Sequence, residues 1–82
     1  MLRPVYTTQF KRDYKLQNKR HKDLLLLETI IRKLVKKEQL PPQYEDHPLH
    51  GNYKGYRECH IEADWLLIYK IEGDNIYFTR TG

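Results

Sequence analysis

The 82 residues suffice for one domain, residues 1–82, with one small hydrophobic core. No apolar run approaches the roughly 20 residues of a membrane helix, and the N-terminus has no apolar stretch of signal-peptide length. The lone Cys59 excludes an internal disulfide, so we expect a cytoplasmic protein. The lack of a membrane-length apolar run predicts no membrane partner.

The net charge of +4 is unevenly distributed along the chain. Residues 1–40 carry eleven Lys and Arg against four Asp and Glu, whereas residues 41–82 carry four against seven. A basic N-terminal half favours a polyanionic partner. Charge alone leaves three alternatives open, namely RNA, an acidic protein segment, and helices that are simply well solvated.

The N-terminal segment predicts a strand followed by a helix. Val5 begins a short β-prone stretch after Pro4, a residue that suits an edge strand. Thr8 is the expected helix cap, because its hydroxyl can accept a backbone N–H. The helix should then run over residues 9 to about 18, with Phe10 on its buried face.

The second helix has the clearest pattern. Residues 22–37 carry an apolar stripe with the 3–4 spacing of a buried helix face. The stripe consists of Leu24, Leu27, Ile31 and Leu34. Pro41 and Pro42 then prevent continuation of the helix.

The C-terminal half predicts a long loop and three strands. Residues 41–54 are irregular, and loops of that length are usually functional or disordered. Strands over about 56–61, 65–71 and 76–81 are joined by turns so short that neighbours must be antiparallel. The order βααβββ is an α+β fold, with two N-terminal helices packed on one face of an antiparallel sheet. Strict alternation places Arg80 on the same strand face as Ile76 and Phe78.

Glu58 and His60 alternate on the first of these strands, which places a carboxylate beside an imidazole on one face. Grouped with His47, Asp64 and Arg80 around one concavity, they supply the groups that cleave RNA without a metal. Cleavage needs a base for the 2′-OH proton, a cation for the phosphate, and an acid for the departing 5′-oxygen. Histidine can be acid or base near neutral pH, and arginine binds phosphate through two hydrogen bonds.

Each candidate also has a purely structural interpretation. Asp64 fits a turn residue and Trp65 a core aromatic, and single surface histidines such as His21 usually have no function. A metal site is disfavoured, because the His-Pro-Leu-His stretch lacks a helical His-x-x-x-His spacing and no second cluster of ligands exists. We therefore expect no metal and no cofactor.

The segment DHPLHGNYKGYRECHIEADWLLIYKI, followed by FTRTG, resembles the YafQ-like branch of the RelE/ParE superfamily of bacterial toxins. The resemblance covers nearly the whole chain, because the N-terminal YTTQFKRDYK and KRHKD are also similar. It implies a RelE-like fold and an mRNA interferase, an endoribonuclease toxin of a type II toxin–antitoxin system. Such a toxin cuts mRNA, typically in the ribosomal A site, and a cognate antitoxin neutralises it.

The resemblance also implies catalytic positions. Residue by residue, these are His47, Glu58, His60, Asp64 and Arg80. We expect His60, with Glu58 or Asp64, to handle the 2′-OH proton, and Arg80 to bind the scissile phosphate. His47 is expected to act as an acid, a base or a phosphate donor. The expected products carry 2′,3′-cyclic phosphate or 3′-phosphate ends, formed without a metal.

Three further residues are expected to contact the substrate, namely Lys54, Arg57 and Trp65. For Trp65, the alternatives are packing beneath the site and stacking against a base. Family members usually continue past Arg-Thr-Gly into a tail with a Thr-His pair and a terminal Leu-Phe, whereas this chain ends at Gly82. Two alternatives stay open, namely a sequence shortened after Gly82 and a protein that does without the tail. In either case we expect the fold to be intact and catalysis by the chain as given to be weaker.

Two other functions remain open from the sequence. One is a ParE-like toxin that binds a protein target such as gyrase, a function that needs no acid–base cluster. The other is a toxin–antitoxin pair that represses its own operon, in which the basic helices mainly contact an acidic antitoxin segment.

Overall fold

A five-stranded sheet forms the frame of the fold. The computed structural model describes residues 1–82, and the strand order is β1-β5-β4-β3-β2. The elements in chain order are β1 (Arg3–Tyr6), α1 (Thr8–Lys19), α2 (Leu24–Val35), β2 (His47–Pro48), β3 (Arg57–Glu62), β4 (Trp65–Glu72) and β5 (Asn75–Thr81). Two 3-10 turns, Pro42–Tyr44 and Gly51–Tyr53, lie on either side of β2.

The predicted α+β order is confirmed, with two differences. The loop before β3 contains the two-residue strand β2, which pairs antiparallel with β3. In addition, β1 is parallel to β5, so the sheet is mostly rather than wholly antiparallel. The parallel strands β1 and β5 are joined by all of the intervening chain, which includes both helices. Parallel strands need such a crossover connection.

Both helices begin at side-chain caps. The first cap is Thr7 rather than the expected Thr8, because the Thr7 hydroxyl accepts a hydrogen bond from the N–H of Phe10 at 3.0 Å. Asp23 caps α2 by accepting from the N–H of Leu26 at 3.2 Å, which makes that helix shorter than predicted. Neither helix is long and apolar enough to cross a membrane.

The hydrophobic core lies between the helices and one face of the sheet, called here the inner face. The predicted α2 stripe contributes Leu27, Ile31 and Leu34 to it. From the sheet, the buried residues are Cys59, Ile61, Trp65, Leu67, Tyr69, Ile76 and Phe78. Burial raises the pKa of the Cys59 thiol to about 12, so Cys59 is a neutral core residue.

A β-bulge in β5 overturns the expected position of Arg80. Tyr69 pairs with Phe78, but the preceding Ile68 pairs with Arg80, so Thr79 is the extra residue. An inserted residue reverses the alternation of side chains. Arg80 therefore lies on the outer face, opposite to Phe78 and away from the core.

Candidate functional site

The bulge brings three of the predicted residues to the outer face. Glu58 pairs with Ile68, and Ile68 pairs with Arg80, in one row across β3, β4 and β5. In the next row His60 pairs with Leu66. Because neighbouring strands lie about 4.8 Å apart, the backbones of Glu58 and Arg80 are separated by about 10 Å. The acid–base pair and the cation thus flank an apolar strip of Leu66 and Ile68.

β2 adds His47 to this group by pairing directly with Glu58. Glu58 Oε1 lies 3.5 Å from His47 Nε2 and 3.8 Å from His60 Nε2. The side chain of Glu58 is 18% exposed, and the two imidazole rings are 6.2 Å apart. A half-buried carboxylate between two imidazoles can exchange a proton with either of them. We call these three residues the acid–base cluster.

The loop before β2 fixes the ring of His47. Nδ1 of His47 donates a hydrogen bond to the carbonyl of Glu45. A carbonyl only accepts, so Nδ1 carries a proton, and Nε2 can donate toward Glu58 only when the ring is an imidazolium. Glu45 has a left-handed φ of 47°, and its carboxylate lies 4.0 Å from His60 Nδ1. Such a conformation costs roughly 1–2 kcal/mol for a non-glycine residue, which the surrounding contacts must offset.

Asp13 of α1 holds the guanidinium of Arg80. Arg80 Nε donates to Asp13 Oδ2 at 2.9 Å, and the N–H of Thr81 donates to the same oxygen at 3.1 Å. The other oxygen accepts from the Gln9 amide at 2.9 Å. Because β1 ends at Tyr6, it does not pair with the end of β5. Asp13 takes the place of a strand partner there by accepting the N–H of Thr81. Nε is engaged, whereas the two terminal amino groups of Arg80 have no hydrogen-bond partner and can bind a phosphate.

The pair is charged across the physiological pH range. Burial acts to raise the pKa of Asp13, but the hydrogen bonds from Arg80, Gln9 and Thr81, with the charge of Arg80, hold that pKa below its ordinary value. The hydrogen bond to Asp13 in turn raises the pKa of Arg80. Arg80 is therefore a permanent, oriented cation whose side chain is 55% exposed.

Trp65 lies beneath the site and not in it. It is fully buried, and its Nε1 donates to the Thr81 hydroxyl at 2.8 Å. That hydroxyl donates to the carbonyl of Leu66 at 3.1 Å. A fully buried ring presents no face to a base, which favours the packing alternative for Trp65, and a contact with substrate stays a prediction. Trp65 supports the residue that follows Arg80.

Arg57 does not join the site either. It pairs with Tyr69 across the sheet and therefore lies on the inner face, opposite to Glu58 and His60. Its Nε donates to Asp46 at 3.1 Å, and the Tyr69 hydroxyl donates to the same carboxylate oxygen at 2.7 Å. This network gives Arg57 a structural partner, and its contact with substrate stays a prediction.

Asp64 and Lys54 remain apart from the cluster. Asp64 lies in the turn between β3 and β4, is 80% exposed, and forms an ion pair with Lys22 at 3.5 Å. The structure gives Asp64 no contact with Glu58 or His60, so its part in proton transfer stays a prediction. Lys54 follows the turn Gly51–Tyr53 and is exposed, and its contact with RNA also stays a prediction.

Asp13 is the residue that sequence reasoning missed. It is the sole acidic residue of α1 and is buried beside Phe10 and Gln17. A signal was present, because residues 10, 13 and 17 share the 3–4 spacing of one helix face. An acid on a buried face needs a cationic partner.

The side chains include no group of three or more His, Cys, Asp or Glu placed to hold a metal ion, and metal-free chemistry stays a prediction.

Comparison with known proteins places this chain in a class. A sequence model described as the bacterial toxin of type II toxin–antitoxin systems, YafQ, matches residues 2–82. The class is therefore a small bacterial toxin of a type II toxin–antitoxin system. Within that class, the chain belongs to the YafQ toxin family.

Three relatives illustrate the match. The mRNA interferase toxin YafQ of Escherichia coli K12 is 46% identical over 78 residues, which cover 94% of this chain and 85% of that protein. The crystal structure of the E. coli DinJ–YafQ complex has a TM-score of 0.92 at 43% identity, covering 100% of this chain and 92% of that one. A metal-bound toxin from Helicobacter pylori has a TM-score of 0.94 at 37% identity, covering 100% and 93%.

Proposed function

We propose that this protein is an mRNA interferase, an endoribonuclease that cuts mRNA by metal-independent acid–base chemistry and thereby inhibits translation. One observation carries the proposal. The acid–base cluster and the oriented Arg80 lie on the same sheet face, at opposite ends of one cross-strand row. The name of the E. coli relative, an mRNA interferase toxin, supports the same activity.

The chemistry follows from the order of the groups. Arg80 binds the scissile phosphate through its terminal amino groups and stabilises charge on the phosphate oxygens. Glu58 with His60 takes the proton from the 2′-OH, whose oxygen attacks phosphorus while the bond from phosphorus to the 5′-oxygen breaks. The imidazolium of His47 returns a proton to that 5′-oxygen. The products are a 2′,3′-cyclic phosphate and a 5′-OH.

The partners follow from the family and the charge. The E. coli toxin is known in a complex with DinJ, and we expect a cognate antitoxin to neutralise this chain. The basic N-terminal half suits RNA, and association with the ribosome in the cytoplasm is part of the proposal. No feature of the structure favours the gyrase alternative, in which the acid–base cluster would have no role.

The test is cleavage of a defined mRNA, with and without ribosomes, in the presence of a chelator. Removal of an acid–base group in His60→Ala, or of the phosphate-binding group in Arg80→Ala, should lower the cleavage rate by about 10²–10⁴-fold. Leu25→Ala, at an exposed position of α2, is the matched control. The chelator matters because the Helicobacter pylori relative is metal-bound.

Two results would contradict the proposal. One is equal cleavage by the wild type and both variants. The other is cleavage that requires added divalent metal. A DNA supercoiling assay with gyrase, run beside the RNA assay, tests the ParE-like alternative.

A further inference from the structure

A concavity of about 280 Å³ adjoins Arg80 at the end of the sheet. Its floor is the apolar strip of Leu66 and Ile68, which are half-buried. Its walls are Arg20 at the end of α1 and Tyr53 of the 3-10 turn, with Arg80 at the rim. The volume lies near the lower end of the roughly 300–1,000 Å³ of small-molecule sites, which suits one planar group. We call it the Arg80 concavity.

Tyr53 contributes the aromatic ring of the lining. It is 54% exposed, and its ring meets the ring of Tyr56 edge-on, with 6.1 Å between centroids. Its hydroxyl has no hydrogen-bond partner. More than half of the side chain is thus accessible, and an accessible aromatic ring can stack on a planar group.

The charges at the rim select an anion. Arg20 forms no ion pair, and Arg80 uses Nε for Asp13 while its terminal amino groups remain available. Asp13 is the one carboxylate side chain in the lining and is already bonded to three donors. Two cations and an aromatic ring that line one concavity match a nucleobase and the phosphates that flank it.

Continuity with the acid–base cluster favours RNA over an acidic peptide. Each floor residue pairs in register with a cluster residue, Leu66 with His60 and Ile68 with Glu58. The concavity is therefore about one strand spacing, roughly 4.8 Å, from the acid–base cluster. An occupant with its phosphate on Arg80 would present its ribose to the cluster, which a peptide cannot do.

We propose that the Arg80 concavity binds one unpaired nucleobase beside the scissile phosphate, stacked on Tyr53, with neighbouring phosphates on Arg80 and Arg20. The proposal rests on the proposed function for the identity of the RNA. It adds that the substrate is single-stranded at this position, because only an unpaired base exposes both its faces for stacking.

The experiment measures the affinity of the full chain for a 2′-O-methyl oligoribonucleotide by fluorescence anisotropy. This RNA lacks the 2′-OH nucleophile, so binding is measured independently of cleavage. Tyr53→Ala should weaken binding about 5- to 150-fold, the loss expected for one stacked base. Tyr53→Phe should recover most of the affinity, and Leu25→Ala is the matched control.

A series of oligonucleotides, each with one abasic position, locates the base. At the contacting position, the abasic RNA should bind the wild type as weakly as intact RNA binds Tyr53→Ala, and combining both changes should add nothing further. Wild-type affinity of Tyr53→Ala for intact RNA would overturn the proposal. An equal loss of RNA affinity in Tyr53→Phe would also overturn it. So would a Tyr53→Ala variant that binds the antitoxin, but not RNA, more weakly.

Failure of the subsite and failure of the proposed function give different results. If the affinity pattern holds but intact RNA is not cleaved, the subsite stands and the catalytic assignment falls. If intact RNA is cleaved and His60→Ala abolishes cleavage, while Tyr53→Ala leaves affinity unchanged, the activity stands and the subsite falls.

Discussion

At the scale of single residues, the orientation of Arg80 depends on Asp13. An arginine on a strand has many rotamers, and fixing it in one of them has an entropic cost. Here Asp13 accepts from Nε at 2.9 Å and is itself held by Gln9 and Thr81. The cation is therefore already oriented when substrate arrives, and an oriented cation stabilises developing charge without reorganisation.

We predict that Asp13→Asn lowers RNA cleavage by about tenfold or more, because hydrogen bonds to charged groups contribute roughly 1.5–3 kcal/mol. The effect should act through Arg80, so adding Asp13→Asn to Arg80→Ala should produce no further loss of rate. This double-mutant cycle uses kcat and KM on one RNA, with Asp74→Asn in an exposed turn as the control. Additive losses would show that Asp13 acts independently of Arg80.

Asp13 also predicts how stability depends on pH. Its pKa is lowered in the folded protein, despite its burial, by the hydrogen bonds from Arg80, Gln9 and Thr81. Its stabilising contribution is thus complete above the ordinary value of 3.8 and is lost as the pH falls through the lower, folded pKa. Urea unfolding from pH 6 to pH 2 should show a smaller loss below pH 4 in Asp13→Asn than in the wild type. Parallel curves would contradict this assignment.

At the scale of elements, the sequence predicted the helices and strands but not their local irregularities. The α2 stripe determines the type of that element, because burial of one helix face imposes a period. The short turns between the last three strands require antiparallel neighbours. The bulge at Thr79 and the short strand β2 have no such period, since each depends on pairing with a distant segment. The face occupied by Arg80 therefore could not be predicted from alternation alone.

The candidate site likewise contains residues that regular alternation predicts and residues that it does not. Glu58 and His60 were predicted to share a face, and the structure places them together because β3 is regular between them. Asp64 was grouped with them around one concavity, although it also fitted a turn residue. It lies in the turn beyond a second register shift, between His60 and Glu62, and its part in proton transfer stays a prediction. Counting alternate residues along a strand predicts the wrong sheet face beyond the first bulge.

α1 carries a buried polar group whose replacement tests the core. Gln17 is 2% exposed, and its Oε1 has no hydrogen-bond partner. An unsatisfied buried polar group costs about 1–3 kcal/mol, and leucine has a similar shape without that group. We predict that Gln17→Leu leaves the free energy of unfolding unchanged or raises it, as measured by urea denaturation. A loss above about 1 kcal/mol would indicate that the amide is satisfied in solution.

At the scale of the whole molecule, the two sheet faces have separate tasks. The inner face and the helices supply the core, and the outer face displays the acid–base cluster, Arg80 and the apolar strip between them. Since a chain of this size buries only about 60–65% of its unfolded surface, few core residues can be replaced without loss of stability. Glu58 and His60 of β3 are tolerated because they face away from that core, whereas Arg57 on the inner face is paired with Asp46.

The central claim is that the acid–base cluster and Arg80 cleave RNA without a metal, and a single-turnover measurement tests it most directly. Wild type and Glu58→Gln are compared on one RNA in chelator, and the new 3′ ends are analysed. We predict 2′,3′-cyclic phosphate ends for the wild type, and a rate constant about 10²–10⁴-fold lower for Glu58→Gln. Equal rate constants, or a rate restored only by divalent metal, would contradict the claim.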